Sequence, residues 1–357
     1  MSEPRPAVAT TASDASAAAA PRAKTVKTVS VAIRTLGRAG QKYRWLLDSI
    51  ENSTVRPEKV VVVLPDGYEL PPERLGWETF VFCPKSMIGQ RLAALPVIES
   101  DYTLFLDDDI AFPPDFIEKL LSATNEGYAC VTGPLFSLFP QSKAGVIAGT
   151  LTASVSLSLF SRDKYVKILR SGGWSYHTFP TDEHRLYPTE SFSWGCFLID
   201  TELMRQIDME EERKWLERYG YAAGDDRVMS YKLLTLGARA CIVSDALYDH
   251  NDAATSRSKD ELPSTKPIFC NYFMHRVFWH RFLLSPEKNP LRRLQDCLCH
   301  AYWRLAMTGY HLLKSITPGG RAAFRAFREG LKAANAYIRS EDYRALAPIV
   351  DKRRNRQ

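Results

Sequence analysis

Residues 101–116 read DYTLFLDDDIAFPPDF. The apolar run Tyr102, Thr103, Leu104, Phe105 and Leu106 ends abruptly in Asp107, Asp108 and Asp109. Such a run bounded by polar residues reads as a strand covered on both faces. Three adjacent carboxylates repel one another, so the strand must deliver them to a crevice rather than to a core. Side chains alternate along a strand, so Asp107 and Asp109 can share one crevice while Asp108 points away. Oxygen ligands at that spacing suit a hard divalent cation, Mg²⁺ or Mn²⁺, whose charge would relieve the repulsion. The plainer alternative is a surface turn with a helix-capping aspartate.

Working outward, strand and helix alternate. KTVSVAIRTLGRAG (27–40) is a β-branched strand closing in a glycine turn, and QKYRWLLDSIENSTV (41–55) has helical periodicity with Trp45, Leu46, Ser49 and Ile50 near one face. EKVVVVLPDGYEL (58–70) is a second, continuously apolar strand ended by Pro65-Asp66-Gly67. TFVFCP (79–84) is a third strand, SMIGQRLAALPVIES (86–100) a helix interrupted at Pro96, PPDFIEKLLSATNEG (113–127) a helix and YACVTGP (128–134) a strand. This order predicts an α/β fold, a Rossmann-like, mostly parallel sheet flanked by helices. Ligands then bind at the carboxyl ends of the strands, where Arg34-Thr35, Asp66 and the acidic triplet lie.

The chain has 357 residues, a formal net charge of +6 and seven cysteines. No long basic run points to nucleic acid. The cysteines are scattered and form no CxxC pair, which argues against a zinc site and suits a reducing compartment. No apolar run reaches the ~20 residues of a membrane span. Residues 1–26, rich in Ala, Ser and Pro, read as a disordered leader and not a signal peptide. A cytoplasmic protein is expected, either free or peripheral on the inner membrane face.

Residues 135–188 are less regular, and RSGGWSYHTFPTDEH (170–184) reads as an aromatic loop over the crevice. SFSWGCFLID (191–200) is a strand, GDDRVMSYKLLTLG (224–237) a helix headed by Asp225-Asp226, and ARACIVSDALYDHN (238–251) a strand leading to His250. An acid pair at a helix start can simply favour the positive helix end, or one carboxylate can act as general base. His250 can return to the crevice as a metal ligand. From residue 266 onward aromatics mix with Arg and His at helical spacing, and RAAFRAFREGLKAANAY (321–337) is an amphipathic basic helix. This helical C-terminal appendage, 266–357, either packs on the sheet domain of 27–265 or lies on an anionic membrane.

In this order the segments resemble the family 2 glycosyltransferases of the GT-A fold, of the bacterial polysaccharide or glycolipid type. SVAIRTLGRAG, VVVLPDG, FLDDDI, GDDRVMSYKLLTLGARACIV and LYDHN are similar to that family's first strand, second strand, Asp-x-Asp motif, base-bearing helix and closing histidine. The resemblance spans residues 29–250. RTLGR and the single acid of LPDG depart from the family pattern. The resemblance implies donor contacts from Thr35, Arg38, Asp66, Arg91, Asp107 and Asp108. It implies a divalent cation held by Asp107, Asp109 and His250, and Asp226 as base with Asp225 as the alternative. Trp194 and Gly195 would line the acceptor pocket, unless Trp194 packs in the core. The implied reaction moves a sugar from a UDP or dTDP donor to a glycan or lipid-linked acceptor with inversion. A nucleotidyltransferase on a related fold, or an inactive sugar-nucleotide-binding module, are the competing readings.

Overall fold

A computed structural model describes residues 27–158, 163–251 and 265–353. The leader expected over 1–26 and the C-terminal residues 354–357 lie outside these.

The strands are β1 (Val29–Arg34), β2 (Val60–Pro65), β3 (Thr79–Cys83), β4 (Tyr102–Asp107), β5 (Ile110–Ala111), β6 (Cys130–Thr132), β7 (Val155–Leu157), β8 (Val166–Ile168), β9 (Trp174–Tyr176), β10 (Leu186–Pro188), β11 (Cys196–Asp200), β12 (Ala240–Val243) and β13 (Asp249–His250). Eight of them form one sheet in the order β10-β12-β6-β11-β4-β1-β2-β3. β3, β2, β1 and β4 run parallel, and β11 is antiparallel to both β4 and β6. The sheet is therefore mixed at its centre and mostly parallel on the side that carries the acidic triplet.

The valine run of β2 is buried on both faces. Val60, Val62 and Leu64 enter one apolar layer, together with Tyr43, Leu46, Leu47 and Ile50 of α1 (Gln41–Glu51). Val61 and Val63 enter the layer on the opposite face. Each such side chain contributes about 1.5–3 kcal/mol by leaving water. The α1 periodicity is as expected but its face is rotated: Trp45 is exposed and Tyr43 takes the core position. Ser49 instead uses its hydroxyl, accepting from the Phe112 amide.

The remaining helices are α2 (Gly89–Leu92), α3 (Phe116–Thr124), α4 (Lys143–Leu151), α5 (Thr201–Gln206), α6 (Met209–Leu216), α7 (Asp225–Thr235), α8 (Lys266–Phe278), α9 (Pro290–Lys314), α10 (Pro318–Ile338) and α11 (Glu341–Arg344). A π-helical turn, Trp279–Leu284, continues α8. Residues 135–188, expected to be irregular, hold α4 and a small sheet in the order β7-β9-β8. Its strands are three residues each, too short for periodicity to register. The C-terminal helices are packed on the sheet: Phe273, Met274 and Phe278 of α8 and Ala334 and Tyr337 of α10 belong to the same apolar layer as Val61 and Val63. Among the described residues no helix is long and apolar enough to cross a membrane.

Candidate active site

The pairing of β1 with β4 sets Arg34 directly beside Asp107. Arg34 Nη2 donates to the Asp107 carboxylate at 2.9 Å. Burial works against the Arg34 charge, but Asp107, Asp225 and Asp108 outweigh it and hold the guanidinium above its ordinary value. Arg91 of α2, only 5% exposed, donates to Asp107 at 3.1 Å and to Asp225 at 3.4 Å. Burial and the Arg34 charge pull its pKa down. One guanidinium thus joins the end of β4 to the first residue of α7, and two acidic segments far apart in sequence meet there.

Asp108 turns the other way and accepts from the Thr35 hydroxyl at 2.6 Å. Burial, chiefly, pushes its carboxyl up to about 6. Asp109 follows on the way into β5. There β13 pairs antiparallel with β5, setting His250 opposite Ile110, and His250 Nε2 lies 3.3 Å from Asp109 Oδ1. The Asn251 amide donates to the Asp109 carbonyl at 2.9 Å, which fixes the two segments. Asp109 and His250 therefore come together. Asp107 is instead held by the two arginines, and among the described residues no three His, Cys, Asp or Glu side chains are arranged to hold a metal ion.

Asp226 opens onto a small cavity, about 50 Å³, whose wall includes Phe139, Tyr165, Trp174, Ser191, Phe192 and Arg227. Burial and the Asp225 charge raise its carboxyl to about 6. The Arg227 amide donates to it at 2.8 Å. The Arg227 guanidinium, lowered to about 10 by burial, donates to the Gly172 carbonyl at 2.9 Å and lies 3.3 Å from His275 Nδ1. Gly224 permits this placement: its φ is +65°, and a Cβ there would lie 2.3 Å from the Met274 methyl.

Asp66 is exposed at the end of β2, its amide donating to the Cys83 carbonyl at 2.8 Å. Arg38 is exposed too, its guanidinium 5.0 Å from the Tyr68 ring centre. Both lie at the strand ends with Thr35. Trp194 is buried between Phe192 and Phe197 and donates to the Ser230 hydroxyl at 2.9 Å, so it backs the site from within the core. Gly195 faces the triplet: a Cβ there would stand 3.3 Å from an Asp107 carboxylate oxygen. In the sequence Arg34 stands out only as a polar strand end and Arg227, Tyr165 and Phe192 not as site residues, whereas Trp174 falls within the aromatic stretch 170–184 expected over the crevice. The strand register would have found Arg34. Nothing local marks Tyr165 and Phe192, which join Trp174 of β9 at the cavity only in the folded chain.

Residues 83–199 match the family model described as Glycosyl transferase family 2, a stretch that contains Arg91, the acidic triplet, Trp194 and Gly195. No curated protein matches the sequence. Similar solved structures include a mannosyltransferase from Pyrobaculum calidifontis in complex with GDP-Man and Mn²⁺, 15% identical, covering 88% of this chain and 87% of that one at a TM-score of 0.46. GalNAc-T7 with UDP, GalNAc and Mn²⁺ is 11% identical, covering 91% of this chain and 59% of that one at 0.49. S. aureus TarS 1-349 in complex with UDP-GlcNAc is 11% identical, covering 87% and 91% at 0.42. The segment that carries the acidic triplet is thus similar to the family 2 glycosyltransferases.

Proposed function

We propose that the protein transfers a sugar from a nucleoside-diphosphate donor, UDP- or dTDP-linked, to a hydroxyl of a glycan or lipid-linked acceptor, by a metal-dependent displacement that inverts the anomeric centre. The observation that carries this is Asp226: a carboxylate with its pKa near 6, on the wall of an aromatic cavity, one residue from an acid that Arg91 ties to the triplet. A base with that pKa is ionised at neutral pH yet still basic enough to take a proton. It removes the acceptor hydroxyl proton as the acceptor oxygen bonds to the anomeric carbon. The bond from that carbon to the diphosphate breaks, and the nucleoside diphosphate leaves with the electron pair. Asp225 is held in the ion pair with Arg91, which favours Asp226 as the base.

Asp107 is preset by Arg34 and Arg91 on two sides, so its carboxylate can accept from a donor ribose without reorganising. Thr35, Arg38 and Asp66, at the neighbouring strand ends, supply further donor contacts, and Asp108 holds Thr35 in place. Asp109 and His250 offer a hard oxygen and an imidazole nitrogen side by side, a pair that fits Mg²⁺ or Mn²⁺ when donor phosphate oxygens and water supply the remaining ligands. When bound, the cation offsets charge on the departing diphosphate. All seven cysteines are free thiols, consistent with work in a reducing cytoplasm.

The test is a panel of nucleotide sugars screened for nucleoside diphosphate release with Mn²⁺ or with EDTA. One donor should turn over only with metal. Asp226→Asn should bind that donor with unchanged affinity and lose roughly 10²–10⁴-fold in kcat, whereas Asp109→Ala should lose metal-dependent donor binding. An Asp226→Asn protein that turns over normally sinks the base assignment.

A further inference from the structure

α9 is turned inside out relative to an ordinary surface helix. The stripe it buries is Asp296, His300, Trp303, Met307 and His311. The opposite stripe, at spacings of three, four and seven residues, is Leu291, Leu294, Leu298, Leu305, Leu312 and, just beyond the helix, Ile316. These are 55% to 83% exposed. Over 25 residues the stripe runs about 38 Å, well beyond the scattered exposed leucines of an ordinary surface. It also widens sideways. The Tyr302 hydroxyl donates to the Leu151 carbonyl, and Ile147 and Leu151 of α4 are 60% and 62% exposed beside it.

The charges around the stripe choose its occupant. α9 carries Arg292, Arg293, Arg304 and Lys314, all exposed. Its single acid, Asp296, is buried and paired with Arg170 at 2.7 Å. α10 continues with exposed Arg321, Arg325 and Arg328. A second copy of the chain on this face would bring cations against cations with no exposed acid of α9 to pair them. An anionic lipid surface takes both features: acyl chains accept the leucines, and headgroups take flexible basic side chains flanking an apolar face. We propose that α9, with the exposed end of α4, is a membrane-docking face that lies in the plane of an anionic bilayer surface. On the glycosyltransferase reading, this face would bring lipid-linked acceptors within reach, since α4 follows directly from Leu138 and Phe139 at the Asp226 cavity.

The experiment is co-sedimentation of the full chain with sucrose-loaded vesicles, without donor or acceptor, so that its failure leaves the glycosyltransferase reading standing. Vesicles of phosphatidylcholine and phosphatidylglycerol at about 3:1 should pellet the protein, and phosphatidylcholine alone should bind roughly tenfold less. Leu298→Glu/Leu305→Glu should lower the partition coefficient roughly tenfold or more on anionic vesicles, with an unchanged melting temperature because both side chains are in solvent. Arg304→Gln should weaken the preference for anionic lipid without removing binding. No pelleting by either vesicle, or equal pelleting of the leucine variant, overturns the proposal. So does sedimentation velocity that finds a dimer which the leucine variant dissociates, since the face would then be an interface between copies.

Discussion

Burial and the neighbouring Asp225 charge raise the Asp226 carboxyl from an ordinary 3.8 to about 6, and that shift acts on rate and stability in opposite senses. For rate, if Asp226 acts as the proposed base, its ionised form is the active one, so kcat should fall as pH drops through about 6. For stability, the folded protein holds the Asp226 proton more tightly than the unfolded chain does. That advantage is full below about pH 4, shrinks as pH climbs, and is gone above about 6. A shift of about two units corresponds to about 3 kcal/mol at most. Asp226→Asn keeps an acceptor for the Arg227 amide and removes the charge. It should therefore melt higher than wild type at pH 7.5 and match it near pH 4, while losing turnover at both. Calorimetry across that range checks it, and a variant that melts no higher at pH 7.5 would refute the burial account of the shift.

The acids of α7 depend on the residue before them. Gly224 adopts φ +65°, where an L side chain is strained, and a Cβ would press on the flexible end of Met274. Gly224→Ala should cost about 1–2 kcal/mol, read by urea unfolding, and lower kcat by moving Asp225 and Asp226 against Arg91. Unchanged kcat with the expected loss of stability would show that the helix start does not set the base. At this scale sequence is partly legible. The Val60–Val63 run, the acids that follow Leu106 and the pair that opens α7 all advertise themselves, because burial on both faces and strand-end charge leave local patterns. The partner of Asp107 does not, because the Arg34 register belongs to the sheet. Periodicity finds the stripes of α9 but cannot say which faces inward: the core accepted Asp296, His300 and His311 because Arg170, the Ser171 carbonyl and Tyr272 receive them.

Across the whole molecule, the C-terminal helices are joined to the sheet by apolar packing and to α6 and α7 by a buried charge. Glu212 of α6 has no exposed surface and accepts from Arg281 at 2.8 and 2.9 Å, from Lys232 of α7 at 3.0 Å and from the Trp215 indole at 2.8 Å. Burial alone would raise its pKa, but Arg281 and Lys232 more than reverse that and hold it below the ordinary value. Arg281 sits in the π-helical turn after α8 and is itself buried. Removing either partner strands a charge away from water, at a cost of about 3–5 kcal/mol, whereas removing both can be nearly neutral. Glu212→Gln and Arg281→Met should each destabilise by that order, and the double substitution by clearly less than their sum, since Lys232 can reach solvent. Because α8 and α10 share the apolar layer of β2, tryptophan fluorescence and helical circular dichroism should report one coincident urea transition in all three variants. An additive double substitution would mean the pair is not coupled. A separate early transition for the helices would mean that this buried cluster, and not the shared core, is what fastens them to the sheet.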